Sequence, residues 1–289
     1  MKPAPFAWHA PTTPDAALAL KAQHGDEASF LAGGQSLIPA MNFRVAQPAV
    51  LIDLNRVAGL DALRFEADGT LVIGATCRYR AIEHDAEVAR RFPLLVEALA
   101  EVAHPQIRSR GTLGGNLSHA DPVSEMPAVM LALDARFLLR SARGHRLVAA
   151  RDFFVAPLTT ALAPDEMLAD IRIPSLPGRT GTAFLELARR RGDYAMCGIA
   201  VVVTRDEGGR CCAARLAFLG AGPTPTPAHR AAAALTGTML DKSAIEAAAL
   251  LAREEVDPLG SVHATPAYQR HLAGVLAARA LAIAAERAA

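Results

Sequence analysis

The sequence carries Leu31-Ala32-Gly33-Gly34-Gln35-Ser36-Leu37 near its N-terminus and Gly111-Thr112-Leu113-Gly114-Gly115-Asn116 eighty residues later. Consecutive glycines let a backbone turn its amide groups inward on a phosphate, because no Cβ blocks the approach or the positive φ values that such a turn needs. Either pair alone is more typical of a tight turn, and neither fits the glycine patterns of Rossmann or P-loop folds. Together, the two pairs predict a dinucleotide whose diphosphate is held between two lobes.

The composition is that of a globular protein with a core of small and aliphatic side chains. The 289 residues are 52% apolar, 20% charged and 5% aromatic, which excludes disorder as the main description. The formal net charge is +1, so no overall field would attract nucleic acid or an anionic membrane. The N-terminus lacks the apolar stretch of a secretory signal, and no segment has the length of a membrane span. We therefore expect a cytoplasmic protein that binds no nucleic acid.

The hydrophobic pattern mixes helices and strands without strict β-α-β repetition, which predicts an α+β fold. A glycine-rich loop is expected from His104 to the second glycine pair, and a helix is expected from Pro127 to Leu133. The other elements predicted for this part are helices at 13–25, 79–91 and 93–102, strands at 29–31, 50–54, 71–75 and 167–173, and a hairpin of 136–139 with 145–148.

Two prolines and two glycines between Pro174 and Gly181 indicate a domain boundary. Beyond it, residues 199–203 and 213–219 predict a hairpin, and Pro223 to Pro227 a stiff connector. Ser243 and Glu246 have capping-box spacing, and Pro266 to Ala285 predicts a long alanine-rich helix.

The sequence offers little sign of metal or nucleophilic chemistry. The four cysteines include no C-x-x-C pair, so buried hydrophobic side chains in a reducing compartment are the expected role, and no iron–sulfur cluster is expected in this chain. His119 and Asp121 lack a third ligand for a metal site. The run Arg189 to Arg191 is typical of a solvated face. We expect no metal and no catalytic residue of the acid–base or nucleophilic kind.

Longer stretches around the glycine pairs resemble the FAD-binding medium subunits of molybdenum hydroxylases, the family of xanthine dehydrogenase and carbon monoxide dehydrogenase medium chains. The first runs from Leu31 to Met41 and continues at Arg44 and Leu51 to Leu54, and the second runs from Pro105 to Pro122. The resemblance extends to Arg189 to Ala195 and to Tyr268-Gln269-Arg270, and so covers essentially the whole chain.

The resemblance implies an architecture of two domains. Residues 1–175 would form a two-lobed FAD-binding domain of the PCMH type, like that of vanillyl-alcohol oxidase, with lobes at about 1–57 and 58–175. Residues 176–289 would form a C-terminal α+β domain of the carbon monoxide dehydrogenase flavoprotein type.

The resemblance also implies which residues hold FAD. Residues 32–36 and 111–116 would surround the diphosphate, Asp121 and Glu125 would lie near the ribityl chain or the ring, and Leu168 and Tyr194 near the isoalloxazine. The full set of implied contacts is Ala32, Gly33, Gly34, Gln35, Ser36, Leu37, Ile107, Gly111, Thr112, Gly114, Gly115, Asn116, Ser118, Asp121, Glu125, Leu168 and Tyr194.

The chain departs from the family pattern at two places. Glu125 stands where the family commonly has aspartate, and its extra methylene is expected to shift that contact. The family often carries a lysine in the strand Phe184 to Leu187, where this chain has Glu186 and no lysine. The cation that would stabilise a reduced, anionic flavin is therefore missing from this strand.

The function implied by the resemblance is electron transfer within a heteromeric molybdenum hydroxylase. A large subunit would carry the molybdenum cofactor, a small subunit two [2Fe–2S] clusters, and FAD in this chain would pass electrons to an external acceptor, in an assembly that is often a dimer of heterotrimers. The sequence identifies neither the hydroxylated substrate nor the acceptor. Two alternatives stay open: a stand-alone FAD oxidoreductase, and a non-catalytic flavin-binding module for assembly.

Overall fold

The structure is a computed structural model that describes residues 2–288. Its first lobe is a parallel three-stranded sheet with strand order β1-β3-β2. Helix α1 begins at the N-cap Thr13, whose hydroxyl accepts from the Ala16 amide at 3.2 Å, and ends at Gly25, which has a φ of +52°. The elements of this lobe are β1 (Ala7–His9), α1 (Pro14–His24), β2 (Ala28–Leu31), α2 (Leu37–Asn42) and β3 (Val50–Asp53).

The second lobe is a five-stranded antiparallel sheet, in the order β4-β5-β10-β6-β7, covered by helices. Its core joins apolar residues of the sheet to the buried faces of α5, α7 and α8. The elements are β4 (Leu63–Phe65), β5 (Leu71–Gly74), α3 (Tyr79–Glu83), α4 (Ala86–Arg91), α5 (Pro93–Glu101), α6 (Pro105–Arg108), α7 (Leu113–His119), α8 (Glu125–Ala132), β6 (Arg136–Ser141), β7 (Gly144–Ala149), β8 (Phe154–Ala156), β9 (Thr159–Thr160) and β10 (Met167–Ile173).

Strand β10 joins the two lobes. Met167 and Ala169 pack into the core of the first lobe, whereas Leu168 and Ile171 pack into the core of the second. Side chains alternate between the faces of a strand, and the register shift between Leu168 and Asp170 brings Ile171 to the same core as Leu168, so one strand can serve both cores. The lobes are therefore held against each other by buried apolar contacts.

The C-terminal part is a four-stranded antiparallel sheet, in the order β11-β12-β13-β14, with three helices on one face. Its other face, which includes Phe184, Val202 and Leu219, packs into the core of the second lobe. The elements are β11 (Thr180–Ala188), β12 (Ala195–Arg205), β13 (Cys211–Leu219), β14 (Thr226–Pro227), α9 (His229–Leu235), α10 (Lys242–Glu255) and α11 (Pro266–Arg287). The predicted α+β fold is confirmed.

Two helical predictions in the second lobe are wrong in detail. The helix expected over 79–91 is two helices, because Asp85 caps α4 by accepting from the Val88 amide at 2.9 Å. The loop expected after His104 contains α6 and α7, and the second glycine pair lies inside α7. Glycine is a poor helix former, so the helix there depends on tertiary packing.

Three predictions for the C-terminal part are also wrong. The N-cap of α10 is Asp241, which accepts from the Ala244 amide at 2.9 Å, and Ser243 does not start the helix. Cys212 is exposed because it points away from the face that buries Cys211. The segment expected to be a connector ends in β14, which pairs with β13.

Within residues 2–288, no helix combines the length and the apolar character that a membrane span needs. In the same range, no three His, Cys, Asp or Glu side chains group in a way that could hold a metal ion.

Candidate functional site

The first glycine motif, Ala32 to Ser36, is the loop between β2 and α2. Gly34 has a φ of +73°, a conformation that favours glycine. The Gln35 side chain donates to the Gly33 carbonyl at 3.1 Å and so stabilises the loop from within. In the part of the chain that the structure describes, the amides of Gly33 to Leu37 donate to no other protein group. The loop thus offers a run of free backbone donors.

The second glycine motif, Gly111 to Asn116, is used differently. Thr112 is the N-cap of α7, and its hydroxyl accepts from the Gly115 amide at 3.1 Å. The amides of Leu113 and Gly114 donate to the Cys77 carbonyl at 3.2 Å and the Ala75 carbonyl at 3.0 Å. These three amides are occupied inside the protein, so the expectation that the second pair also turns free amides toward a ligand is wrong.

Gly114 is needed for packing. A Cβ at Gly114 would lie 2.5 Å from the Cβ and 2.6 Å from the Cα of Ala75. Because Ala75 follows β5, the absence of a side chain lets α7 lie directly on the sheet. The second motif therefore fixes the position of α7 and of the polar side chains that it carries.

The two motifs meet, as their spacing predicted. A Cβ at Gly33 would lie 2.6 Å from the Arg110 carbonyl oxygen and 2.9 Å from the Gly111 Cα. On the other side, the Cβ position of Gly115 lies 3.5 Å from the Cβ of Ala32. The junction is thus a backbone-to-backbone contact between the lobes, with the free amides of the first motif beside it.

Polar side chains of the second motif are held by the segment that follows it. The side-chain nitrogen of Asn116 lies 2.7 Å from the hydroxyl of Ser124, which precedes α8. The side-chain oxygen of Asn116 lies 3.0 Å from the same hydroxyl. Asp121 accepts from the Val123 amide at 3.1 Å. Ile107 of α6 accepts from the Gly111 amide at 2.6 Å and so supports the approach to the motif.

An acidic region lies beside α7, where the second lobe meets β11. Glu125, the first residue of α8, is 7% exposed. Burial, together with the negative charges of Asp121 and Glu101, raises its pKa to about 7. Burial and the nearby Glu125 raise the pKa of Tyr79 well above its ordinary value, and the Tyr79 hydroxyl is buried with no hydrogen-bond partner.

Glu186 extends the acidic region from the C-terminal sheet. Burial, and then the charges of Glu125 and Glu101, raise its pKa to about 8. Its Oε2 atom is buried without a hydrogen-bond partner. Within residues 2–288, no basic side chain forms an ion pair with it. The strand Phe184 to Leu187, which lacks the lysine that the resemblance implies, therefore holds at Glu186 a carboxyl group that is protonated up to near-neutral pH.

Tyr194 lies at the edge of this region on the turn between β11 and β12. Gly192 has a φ of +85° and packs against the Ala103 carbonyl and the His104 ring, which holds the turn on the second lobe. Tyr194 is 73% exposed, and the pKa of its hydroxyl is raised by partial burial and by the charges of Asp121 and Glu125. Its ring is therefore open to a ligand, and its hydroxyl is close enough to the acidic groups for their charge to raise its pKa.

The remaining predicted site residues differ in exposure. Leu37 at the start of α2 and Ser118 in α7 are half-buried. Leu168 is 4% exposed and packs in the core of the second lobe. Among the predicted residues, the structure places Gly33 against Gly111 and Thr112, and Gly115 beside Ala32, where the two lobes meet.

Sequence reasoning missed two residues at the junction, Asn55 and Arg78. Arg78 donates to the Arg110 carbonyl and to the Asn55 side-chain oxygen, and Asn55 donates to the Ala32 carbonyl at 3.0 Å. A single arginine after a buried strand carries no sequence signal for such a role. Asn55 directly follows the predicted strand 50–54, and its position there gives no sign of a partner in the first motif.

Comparison with known families assigns most of the chain. Residues 4–176 match the FAD binding domain in molybdopterin dehydrogenase, and residues 182–284 match the CO dehydrogenase flavoprotein C-terminal domain.

The chain is also similar to curated proteins and solved structures over its whole length. It is 40% identical to the 6-hydroxypseudooxynicotine dehydrogenase complex subunit alpha of Paenarthrobacter nicotinovorans, with 100% of this chain and 97% of that protein covered. It is 39% identical to the carbon monoxide dehydrogenase medium chain of Afipia carboxidovorans, with 100% and 99% covered. Its fold matches a chain of the carbon monoxide dehydrogenase of Hydrogenophaga pseudoflava with a TM-score of 0.97, at 40% identity and with 100% of both chains covered.

Proposed function

The chain belongs to the family of FAD-binding medium subunits of molybdenum hydroxylases, and from this premise we propose how its residues serve electron transfer. It takes electrons from [2Fe–2S] clusters of a small subunit and passes them from FAD to an external acceptor. The substrate is oxidised at a molybdenum cofactor in a large subunit. When bound, FAD supplies the redox chemistry, and this chain supplies binding, orientation and electrostatics.

The observation that carries the proposal is the junction of the two glycine motifs. Five consecutive amides without a protein acceptor, Gly33 to Leu37, lie where Gly33 touches the second motif. Backbone amides in such a run form a concavity that suits phosphate oxygens. A side chain at Gly33 would collide with the backbone of Arg110 and Gly111 and so disturb this junction. The residues therefore fit the diphosphate of a dinucleotide.

We assign the other residues by their place around this junction. Thr112 and Asn116 orient the second motif, Asp121 and Glu125 would lie near the ribityl chain or the ring of a bound FAD, and Tyr194 would lie close to its isoalloxazine. The full proposed set is Ala32, Gly33, Gly34, Gln35, Ser36, Leu37, Ile107, Gly111, Thr112, Gly114, Gly115, Asn116, Ser118, Asp121, Glu125, Leu168 and Tyr194. Of these, Gly114 acts through the packing of α7 on Ala75, and Leu168 acts from the core.

Membership of this family also implies how the chain is divided into domains and which subunits it joins. We propose an FAD-binding domain of residues 1–175, with lobes at about 1–57 and 58–175, and a C-terminal domain of residues 176–289. The partners are a large molybdenum-cofactor subunit and a small [2Fe–2S] subunit, joined as a dimer of heterotrimers in the cytoplasm. The chain is about as similar to a protein named for carbon monoxide as to one named for 6-hydroxypseudooxynicotine, so its sequence does not identify the substrate. The large subunit would bind that substrate.

The test is a visible absorption spectrum of the chain purified alone and co-purified with the subunits encoded beside it, with the released cofactor identified by mass. We expect FAD near one per chain in both samples, and iron–sulfur absorbance only in the co-purified sample. Colourless protein in both preparations would contradict the proposal. Rapid NAD(P)H-dependent reduction of an organic substrate by the chain alone would instead favour a stand-alone oxidoreductase.

A further inference from the structure

Asn55 and Arg78 form a chain of hydrogen bonds that runs from one glycine motif to the other. Arg78 donates one bond to the Arg110 carbonyl, beside the second motif, and another to the side-chain oxygen of Asn55. The Asn55 amide then donates to the Ala32 carbonyl, in the first motif, at 3.0 Å. The same Arg110 carbonyl lies against Gly33. These hydrogen bonds therefore bridge the junction where the lobes touch.

Both residues are fixed by their own surroundings. Asp53 accepts from the backbone amide of Asn55 at 2.9 Å, and its carboxylate also accepts from the Asn55 side chain, which sets the orientation of that amide. Arg78 pairs with Thr112 in an isolated antiparallel bridge, and the next amide, of Tyr79, donates to the Gly111 carbonyl at 3.1 Å. The bridge thus starts from ordered backbone on both sides.

The charge at the junction is positive. Within residues 2–288, neither Arg78 nor Arg110 makes an ion pair with a carboxylate. Burial and the positive charge of Arg110 lower the pKa of Arg78, whereas Asp53 and Cys77 act in the other direction. A half-buried guanidinium beside a second arginine is better stabilised when an anion lies nearby. The proposed diphosphate is such an anion.

We propose that Asn55 and Arg78 are positioning residues for FAD, acting as a clasp that holds the Ala32 and Arg110 carbonyls at the separation that the diphosphate requires. The clasp rests on the proposed diphosphate site at the motif junction. The planar guanidinium is suited to this role because its donors point in fixed, diverging directions to two acceptors at once. A lysine ammonium keeps the charge but has no such fork.

The experiment measures FAD affinity of Arg78→Gln, Arg78→Lys, Asn55→Ala and the double variant Arg78→Gln/Asn55→Ala. Full-length protein, in the complex in which it is purified, is stripped of flavin and titrated with FAD by flavin fluorescence. ADP, which carries a diphosphate without a flavin, serves as a competitor. Arg91→Gln is the matched control, because half-buried Arg91 also donates to a backbone carbonyl, that of Gly69, and its other partners, Glu87 and Phe65, lie outside both motifs.

We expect each single glutamine or alanine variant to lower the affinities for FAD and for ADP by about tenfold. The double variant should lose little more than either single variant, because the two residues act as a unit. Arg78→Lys should also bind FAD weakly, because lysine lacks the guanidinium fork, and Arg91→Gln should keep the FAD affinity within about twofold of wild type.

Three results would overturn the clasp: FAD affinity unchanged in Arg78→Gln, full recovery in Arg78→Lys, or losses that multiply in the double variant. If Arg78→Gln does not fold, Arg78→Lys and Asn55→Ala alone decide between these outcomes. Failure of the wild type to bind FAD would contradict the proposed function itself. Normal binding by the wild type with unaffected variants would contradict only the clasp.

Discussion

The two glycine motifs are alike in sequence and different in use. In the first, the loop Ala32 to Ser36 leaves its amides free, and Gly33 makes room at the junction of the lobes. In the second, the amides of Leu113 to Gly115 are satisfied within the protein, and Gly114 lets α7 pack on Ala75. A glycine pair beside a cofactor site can therefore bind the ligand directly or position the element next to it, and the hydrogen-bond partners of its amides tell the two uses apart.

The largest effect expected from this comparison is that of Gly114→Ala. The new Cβ would meet Ala75 at 2.5 Å, and overpacking against backbone costs about 3 kcal/mol, more than the ~1 kcal/mol that alanine gains in helix propensity. We expect the melting temperature of the flavin-free protein to fall by about 4–8 °C, measured by calorimetry. Gly178→Ala is the control, since nothing lies within 4 Å of its Cβ position. An unchanged melting temperature in Gly114→Ala would show that the second motif does not depend on close packing.

A smaller and different effect is expected for Gly33→Ala. Its Cβ would meet the Arg110 carbonyl at 2.6 Å and push the two motifs apart. Because this contact borders the free amides, we expect FAD to bind about 30-fold more weakly, a loss of ~2 kcal/mol in binding free energy. The melting temperature of the flavin-free protein should change by less than about 3 °C. Equal losses of stability in Gly33→Ala and Gly114→Ala, with FAD affinity retained in both, would remove the distinction between the motifs.

The smallest effect concerns the acidic region next to the second motif. The pKa of Glu186 is about 8 in the folded chain and about 4.3 for an unfolded glutamate. Between these values the folded chain holds a proton that the unfolded chain has lost. The contribution of Glu186 to the free energy of unfolding is therefore fully present below the lower pKa and is lost as pH rises through the higher one. Glu125 acts with the same sign.

Glu186→Gln removes this dependence. We expect the variant to melt within about 1 °C of wild type at pH 5 and about 4 °C above it at pH 8.5. Exposed Glu207→Gln is the control and should follow the wild type at both pH values. A variant that is less stable than wild type at the higher pH would mean that Glu186 is ionised and paired in the folded protein.

The sequence was sufficient for the pattern of elements and for the meeting of the motifs. Strands such as β3 and β10 follow from local hydrophobic pattern, and the distance between the glycine pairs pointed to separate lobes. Helix α7 could not be predicted, because glycines at 114 and 115 disfavour a helix locally, and buried Leu113 and Leu117 with the Thr112 cap override that preference.

Long-range contacts explain the other residues that sequence reasoning missed. Asn55 and Arg78 act through carbonyl groups of Ala32 and Arg110, and no local pattern reports such partners. The Oε2 atom of Glu186 is buried without a hydrogen-bond partner because the C-terminal sheet packs against the second lobe. The absence of a lysine from the strand Phe184 to Leu187 was visible in the sequence, but the raised pKa of Glu186 in that strand was not.

The most direct test of the different uses of the two motifs is an experimental structure of the chain with FAD bound. We expect diphosphate oxygens within about 3.2 Å of at least two amides between Gly33 and Leu37. We also expect the Leu113 and Gly114 amides still to donate to the Cys77 and Ala75 carbonyls. A diphosphate bound by the amides of Leu113 to Gly115, with the first loop out of contact, would contradict these different uses of the two motifs.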